Sequence, residues 1–241
     1  GGKSAKIIYF KMANFQLNRN ILILHLTILI WGFTGILGSL ISVSAIHLVW
    51  YRVAIASSAL LIYFLVTKQS IVVSRKQFLQ FFLVGAVVGL HWVLFFYSIK
   101  VSTVSVTLVT LSSVTLFTAI LEPIVNKKRI ALLDIVVGLV IIVGIYTIFS
   151  FETHYLVGLL AGLGCAFCPS IFSIANARMV KKSSPTLITF YEMLGACFWI
   201  SIFMLFTGDF SAEMRLGQQD LIFLLLLGVV CTAVGYVMGV A

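Results

Sequence analysis

Eight long apolar runs separated by short polar segments make up most of the 241-residue chain. They lie at Ile21–Val43, Ile46–Val66, Phe78–Ile99, Val101–Leu121, Ile130–Phe149, Tyr155–Ala177, Leu187–Phe206 and Leu221–Ala241. Each is close to the roughly 20 residues that a helix needs to cross the hydrocarbon core. None alternates with a period of two, whereas a spanning barrel is written in alternating segments of about 10 residues. The pattern predicts an all-α integral membrane protein, a helical bundle with eight transmembrane helices in this chain.

Composition agrees and removes whole classes of function. The chain is 61% hydrophobic and 10% charged, with a mean hydropathy of +1.17. Soluble domains run at about 45–50% apolar and about 25% charged. A soluble chain of this size could not hide so much apolar surface. A cytosolic enzyme, a nucleic-acid binder and a secreted disulfide scaffold are therefore excluded. The four cysteines (Cys165, Cys168, Cys197, Cys231) all fall inside apolar runs, where they read as buried small side chains rather than disulfides. Cys165 and Cys168 lack a second Cys or His pair to complete a four-ligand zinc site, so no metal is expected.

The formal charge of +9 is sorted along the chain. Of the 16 Lys and Arg residues, all but Arg52, Lys100 and Arg215 fall in alternate connections: Lys3 to Arg19, Lys68 to Lys76, Lys127 to Arg129, and Arg178 to Lys182. The positive-inside rule makes those segments cytoplasmic and places the N-terminus in the cytoplasm, in a multi-pass protein of the cell (inner) membrane. The charge thus reports orientation and does not call for an anionic macromolecule. Ser42-Val43-Ser44-Ala45 resembles a signal-peptidase site, but the run before it exceeds the usual 7–15 residues by a wide margin, so span 1 is expected to be retained. Met12 is a plausible start, and residues 1–17 read as a cytoplasmic leader.

A weak internal repeat underlies the spans. Leu48-Val49-Trp50-Tyr51-Arg52 aligns with Ile188-Thr189-Phe190-Tyr191-Glu192, and Leu83-Val84-Gly85 aligns with Leu226-Leu227-Gly228. Span 6 then corresponds to span 1, and the unit is five helices. An odd unit inserts its second copy upside down, the inverted-repeat design of many secondary transporters. The expected organisation is a first repeat at 18–150 (spans 1–5) and a second at 151–241 (spans 6–8). The second copy predicts two further spans, 9 and 10, beyond Ala241.

Trp31-Gly32, Arg52, Gly89-Leu90-His91-Trp92 through Phe96-Tyr97-Ser98, the Leu116 to Pro123 stretch with basic residues behind it, and the span-5 glycines Gly138 and Gly144 form an ordered set. In order and spacing they resemble the EamA-type transporters of the drug/metabolite transporter superfamily, over Asn18 to Ala241. The resemblance implies ten helices in two inverted five-helix repeats, cytoplasmic termini, and export of amino acids or other metabolites. Val114 stands where many members carry a proline, which leaves a break in span 4 open.

Individual residues supply the candidate chemistry. A charged side chain near a helix centre costs about 2.5–3.5 kcal/mol on insertion scales and should face protein or water. Arg52 and Glu192 are such charges, offset in depth by roughly 12 Å at the helical rise, so no direct ion pair between them is expected. Both are candidates for gating or coupling. Either could instead anchor helix packing or snorkel to an interface. The candidate substrate-binding residues are Trp31, His91, Trp92, Phe96, Tyr191 and Glu192, with aromatic packing as the alternative. Trp92 and Phe96, at i and i+4, share a face. Pro169 removes a donor to the Cys165 carbonyl and is a candidate helix break lining a cavity. The recurring glycines read as close helix contacts.

Together these readings point to a secondary transporter of small metabolites, such as amino acids or related compounds, exporting by alternating access between two inverted repeats. A channel-like or structural membrane subunit is the alternative, and an intramembrane enzyme is the weaker one. No Gly-x-Ser-x-Gly elbow is present, and His25, His47, His91 and His154 lack metal-ligand spacing. The expected partners are a small-molecule substrate, the lipid bilayer and a second copy in a homodimer, with no nucleic acid and no cofactor.

Overall fold

The computed structural model describes residues 19–240 except 128, 129, 131, 152, 211–213 and 215; the 1–17 leader and Arg215 therefore lie outside the described residues. No strand occurs among the described residues. Six helices match single predicted spans: α1 (Arg19–Leu40), α2 (Ala45–Thr67), α3 (Arg75–Val101), α6 (Leu132–Phe151), α7 (Leu156–Met179) and α8 (Pro185–Thr207). The fourth span is split into α4 (Val104–Leu111) and α5 (Val114–Asn126). The eighth comprises α9 (Gln218–Leu225), a π-helical segment (Leu226–Val234) and α10 (Gly235–Val240). Among the described residues, seven of these units are long and apolar enough to cross a membrane, and α6 adds a shorter apolar stretch, Leu132–Thr147.

Local chemistry sets the helix ends. Ser74 opens α3 with a capping box: its hydroxyl accepts from the Gln77 N–H at 3.3 Å, and the Ser74 N–H donates to Gln77 Oε1 at 3.1 Å. Such reciprocal capping satisfies two orphan donors at once. Ser184 caps α8 ahead of Pro185, whose missing N–H falls where no helical acceptor exists. Gly208 closes α8 at φ 78°, in the left-handed region.

The split in span 4 needs no proline. The Ser112 N–H is shared between the Leu108 and Val109 carbonyls (3.2 and 3.1 Å), and the Ser112 hydroxyl donates to Val109 O at 2.6 Å. The Ser113 N–H reaches only as far back as Thr110 O, at 3.1 Å. Hydroxyls that bond back into the preceding turn tighten and bend a helix. Thr107 and Thr110 bond back in the same way. The question left open by Val114 is thereby answered by the Ser112–Ser113 pair.

In the π-segment the Thr232 hydroxyl donates to Leu227 O, five residues back, at 2.7 Å. Wide turns of this kind are rare and concentrate at functional sites.

α3 is the central element. It packs on α7 and α8, while α2 packs on α8 and the π-segment, and α4 and α5 pack on α7. The α3–α8 contact is backbone to backbone: a Cβ at Gly195 would lie 2.5 Å from Phe82 O, and one at Gly85 would collide with Glu192 O. Small residues that let backbones touch are what holds membrane helices together, since lipid offers no hydrophobic drive between them. The core is apolar, with Leu48, Val53, Val88, Phe96, Met193 and Leu227 fully buried. Apolar side chains also cover the outside, as at Leu24, Ile28, Leu132 and Phe206, which suits a hydrocarbon solvent.

The end of the bundle opposite the sorted basic segments is tied shut. Asp220 accepts from the Ser42 N–H at 2.9 Å and the Ser42 hydroxyl at 2.5 Å, and the Lys100 ammonium donates to the Ile41 carbonyl. His47 Nε2 donates to Asp209 O at 2.8 Å, and the Tyr51 hydroxyl donates to Met214 O at 2.7 Å. These bonds join the turn after α1 and the start of α2 to α3, to α9 and to the chain between α8 and α9.

Candidate functional site

Arg52 enters from α2 and is 2% exposed. Its position follows from α2 packing against the π-segment, where Gly228 admits Ile55 and the Arg52 carbonyl closely. The guanidinium lies over the Trp92 ring, 4.1 Å from its centroid, with Phe96 at 5.6 Å. Nε donates to the Thr232 hydroxyl, so the π-turn that orients Thr232 also fixes Arg52. Of its two amino groups, Nη1 is buried without a hydrogen-bond partner. A desolvated cation over an indole gains about 2 kcal/mol or more, which holds the guanidinium but leaves its charge uncompensated.

Arg52 is one of the residues that line a cavity of about 520 Å³. Ligand sites usually fall between about 300 and 1,000 Å³, so the volume suits a small metabolite. Its aromatic wall comprises Trp31, Trp92, Phe95, Phe172 and Tyr236. Trp92 and Tyr236 meet edge to face at 5.7 Å, and a Cβ at Gly239 would run into the Trp31 ring. From Arg52 and Phe95 the cavity extends to Ala177 and Val240, at the ends of α7 and α10 on the side of the basic segments. Two other lining residues carry buried polar atoms without partners, Thr34 Oγ1 and Asn176 Oδ1. Buried polar groups are normally satisfied, and three residues of this one lining, Arg52, Thr34 and Asn176, each carry a buried polar atom that is not.

A family model for the EamA-like transporter family matches residues 18–150 and again 156–240. The chain belongs to the EamA-like transporter family. It is a multi-pass membrane transporter of the drug/metabolite transporter type, and the members of its family are transporters rather than enzymes. One solved crystal structure superposes on this EamA-like chain with a TM-score of 0.67 at 15% identity, over 91% of this chain and 77% of the other. At that identity the likeness speaks for the fold alone. No curated protein matches the sequence.

The residues singled out in the EamA-like sequence divide into two groups. Arg52, Trp31, His91, Trp92 and Pro169 come from four different helices to line one cavity. Phe96, Tyr191 and Glu192 are not among its lining residues. Phe96 packs behind the guanidinium and against Gly38. Tyr191 turns away, its hydroxyl donating to Ile71 O at 2.7 Å. Glu192 is fully buried behind the wall, with neither carboxylate oxygen hydrogen-bonded and therefore no ion pair to Arg52.

Pro169 requires a correction. It does not break its helix: α7 runs unbroken from Leu156 to Met179 with Pro169 inside it. The carbonyl deprived of its helical donor is Cys165 O, and His91 Nδ1 supplies the missing hydrogen at 2.9 Å from α3. A carbonyl only accepts, so Nδ1 carries the hydrogen and a neutral imidazole keeps Nε2 as an acceptor. His91 and Pro169 are therefore one device that joins α3 to α7 beside the cavity. His91→Ala should cost about 1–3 kcal/mol, the penalty of a buried orphan carbonyl. In a Pro169→Ala background, where residue 169 regains its N–H, the same change should cost at least about 1 kcal/mol less. Thermal unfolding in detergent of the four proteins of this cycle measures the coupling, and strictly additive shifts would refute the pairing.

Thr34, Asn176, Tyr236 and the Arg52–Thr232 bond were not singled out from the sequence. Asn176 is the one residue with a usable signal: an amide at membrane depth in an apolar run that also carries Pro169.

Proposed function

We propose that this chain is a secondary transporter that carries small metabolites bearing an anionic group, amino acids or close relatives, through the Arg52 cavity. The observation that carries the reading is the Arg52 guanidinium, without a carboxylate partner, lining an aromatic cavity at membrane depth. A carboxylate there would complete the guanidinium's hydrogen bonds and neutralise its charge, while the aromatic wall would receive an apolar side chain. Asn176 adds an uncharged amide to the same lining.

The transport cycle we propose is alternating access between two inverted repeats, 18–150 and 151–241. The two separate family matches and the inverted alternation of spans support it. The basic segments argue for a cell-membrane protein with its N-terminus in the cytoplasm. In that orientation the cavity reaches toward the cytoplasm while the Ser42–Asp220 end is closed, which gives cytoplasmic metabolites first access and supports export. A homodimer in the bilayer remains part of this proposal.

Counterflow in proteoliposomes tests the reading. Vesicles preloaded with each unlabelled L-amino acid should accumulate its labelled form transiently for at least one member of the panel. Protein-free vesicles should not. Absence of counterflow across amino acids and related carboxylates would overturn it.

A further inference from the structure

Glu192 is an intramembrane carboxylate that does not line the cavity. It is fully buried, and both its oxygens lack a hydrogen-bond partner. Around it the packing is closed: α8 lies directly on α3, and a Cβ at Gly85 would strike the Glu192 carbonyl. Its polar neighbours are Tyr236 and Asn176, and both of these are also among the residues that line the cavity. Asn176 Nδ2 donates to the Tyr236 oxygen at 3.4 Å, which leaves the Tyr236 O–H as the donor between cavity and carboxylate. Tyr236 is the titratable group facing Glu192 from α10, and Asn176 faces it uncharged from α7. The titratable groups on α2 and α3, the other helices packed on α8, are engaged elsewhere. Arg52 is turned to Trp92 and Thr232, and His91 to Cys165.

We propose that Glu192 is a proton site, reached from the substrate cavity through the Tyr236 hydroxyl, and that its proton is the coupling ion of transport. The coupling rests on the transporter reading above; the proton site itself does not. A bare carboxylate sealed at membrane depth has no counter-charge here, and such a group is neutralised rather than left ionised. A metal cation would need several oxygen ligands and room to hold them, whereas Glu192 lies outside the cavity in closed packing. A proton needs no room. In the transfer, the Tyr236 proton moves to a Glu192 oxygen as the Tyr236 oxygen takes one from a hydronium ion in the cavity, which is left as water. The hydroxyl is regenerated, and the net change is one proton bound and one negative charge removed. The contact between cavity wall and carboxylate gives substrate binding a direct means to shift that exchange, because a ligand on Asn176 and Tyr236 competes for the same groups.

Infrared difference spectroscopy on the whole chain in lipid vesicles tests this without any substrate. Titrated between acid and alkaline pH, the wild type should show a carboxyl C=O stretch at one end that is lost at the other. Glu192→Gln should lack that band, and Glu192→Asp, the milder change, should show it displaced. Tyr236→Phe should keep the band but slow its appearance after a pH jump by about tenfold or more. A band identical in wild type and Glu192→Gln overturns the proposal, as does a wild type with no titrating carboxyl. A band that answers to Na⁺ at fixed pH, and not to pH, assigns the site to a metal cation and likewise overturns it. Where an amino acid is moved by the wild type, its uptake should follow a pH gradient in wild type and cease to do so in Glu192→Gln. If no amino acid is moved, the transport reading fails while the spectroscopic result still decides the proton site.

Discussion

Arg52→Gln lowers transport about 10- to 100-fold in apparent affinity while leaving the protein folded. Glutamine keeps a side-chain donor for Thr232, whose hydroxyl otherwise fixes the guanidinium. It removes the charge held over Trp92 and the unpaired Nη1. Charge-assisted hydrogen bonds contribute about 1.5–3 kcal/mol, and each 1.4 kcal/mol or so is a factor of ten in binding. Arg52→Lys should fall between wild type and Gln, because it keeps the charge but loses the planar fork that can meet a carboxylate with two donors. Counterflow at a series of substrate concentrations, with melting temperature as the check on folding, separates lost affinity from lost protein. Equal affinity in wild type and Arg52→Gln would remove Arg52 from the binding site.

Gly195→Val is expected to have the largest effect on stability, about 3 kcal/mol or more. Overpacking a close-packed core costs about 1–3 kcal/mol when neighbours can yield, and here they cannot yield easily. A Cβ at Gly195 would lie 2.5 Å from Phe82 O and 3.0 Å from Phe82 Cα, backbone atoms of the central helix α3. The helices would have to separate, and α3 also carries His91, Trp92 and Phe95 into the cavity. Gly144→Val is the matched control, since a Cβ there meets nothing within 4 Å. Thermal unfolding in the same detergent should show a large drop for Gly195→Val and almost none for Gly144→Val. Similar drops for both would mean that the α3–α8 contact does not set stability.

What could be read in advance follows from how each feature is encoded. Spans are written by length and apolarity alone, so α1, α2, α3, α7 and α8 fall where the apolar runs lie. Arg52, His91 and Trp92 were legible because a polar or charged group at membrane depth must meet protein or water. Their meeting with Trp31 and Pro169 in one cavity depends on helix rotation, which spans that are apolar on every side do not record. Tyr191 and Glu192 show the same gap from the other direction. They are adjacent in sequence, yet one faces Ile71 at the surface and the other is sealed in the core. The unbroken helix through Pro169 was hidden because the compensating donor, His91, lies on a different span. The split in span 4 was written in Ser112 and Ser113, whose effect is visible only once their hydrogen bonds are known.

Blocking the cavity tests the central claim most directly. Ser173 is a small side chain in its lining and can be changed to cysteine in a background where Cys165, Cys168, Cys197 and Cys231 are replaced. Counterflow of the transported amino acid is then followed before and after reaction with a bulky maleimide. The account predicts active transport before labelling, its loss afterwards, and slower labelling when saturating substrate is present. Full transport through a completely labelled Ser173→Cys protein would contradict it.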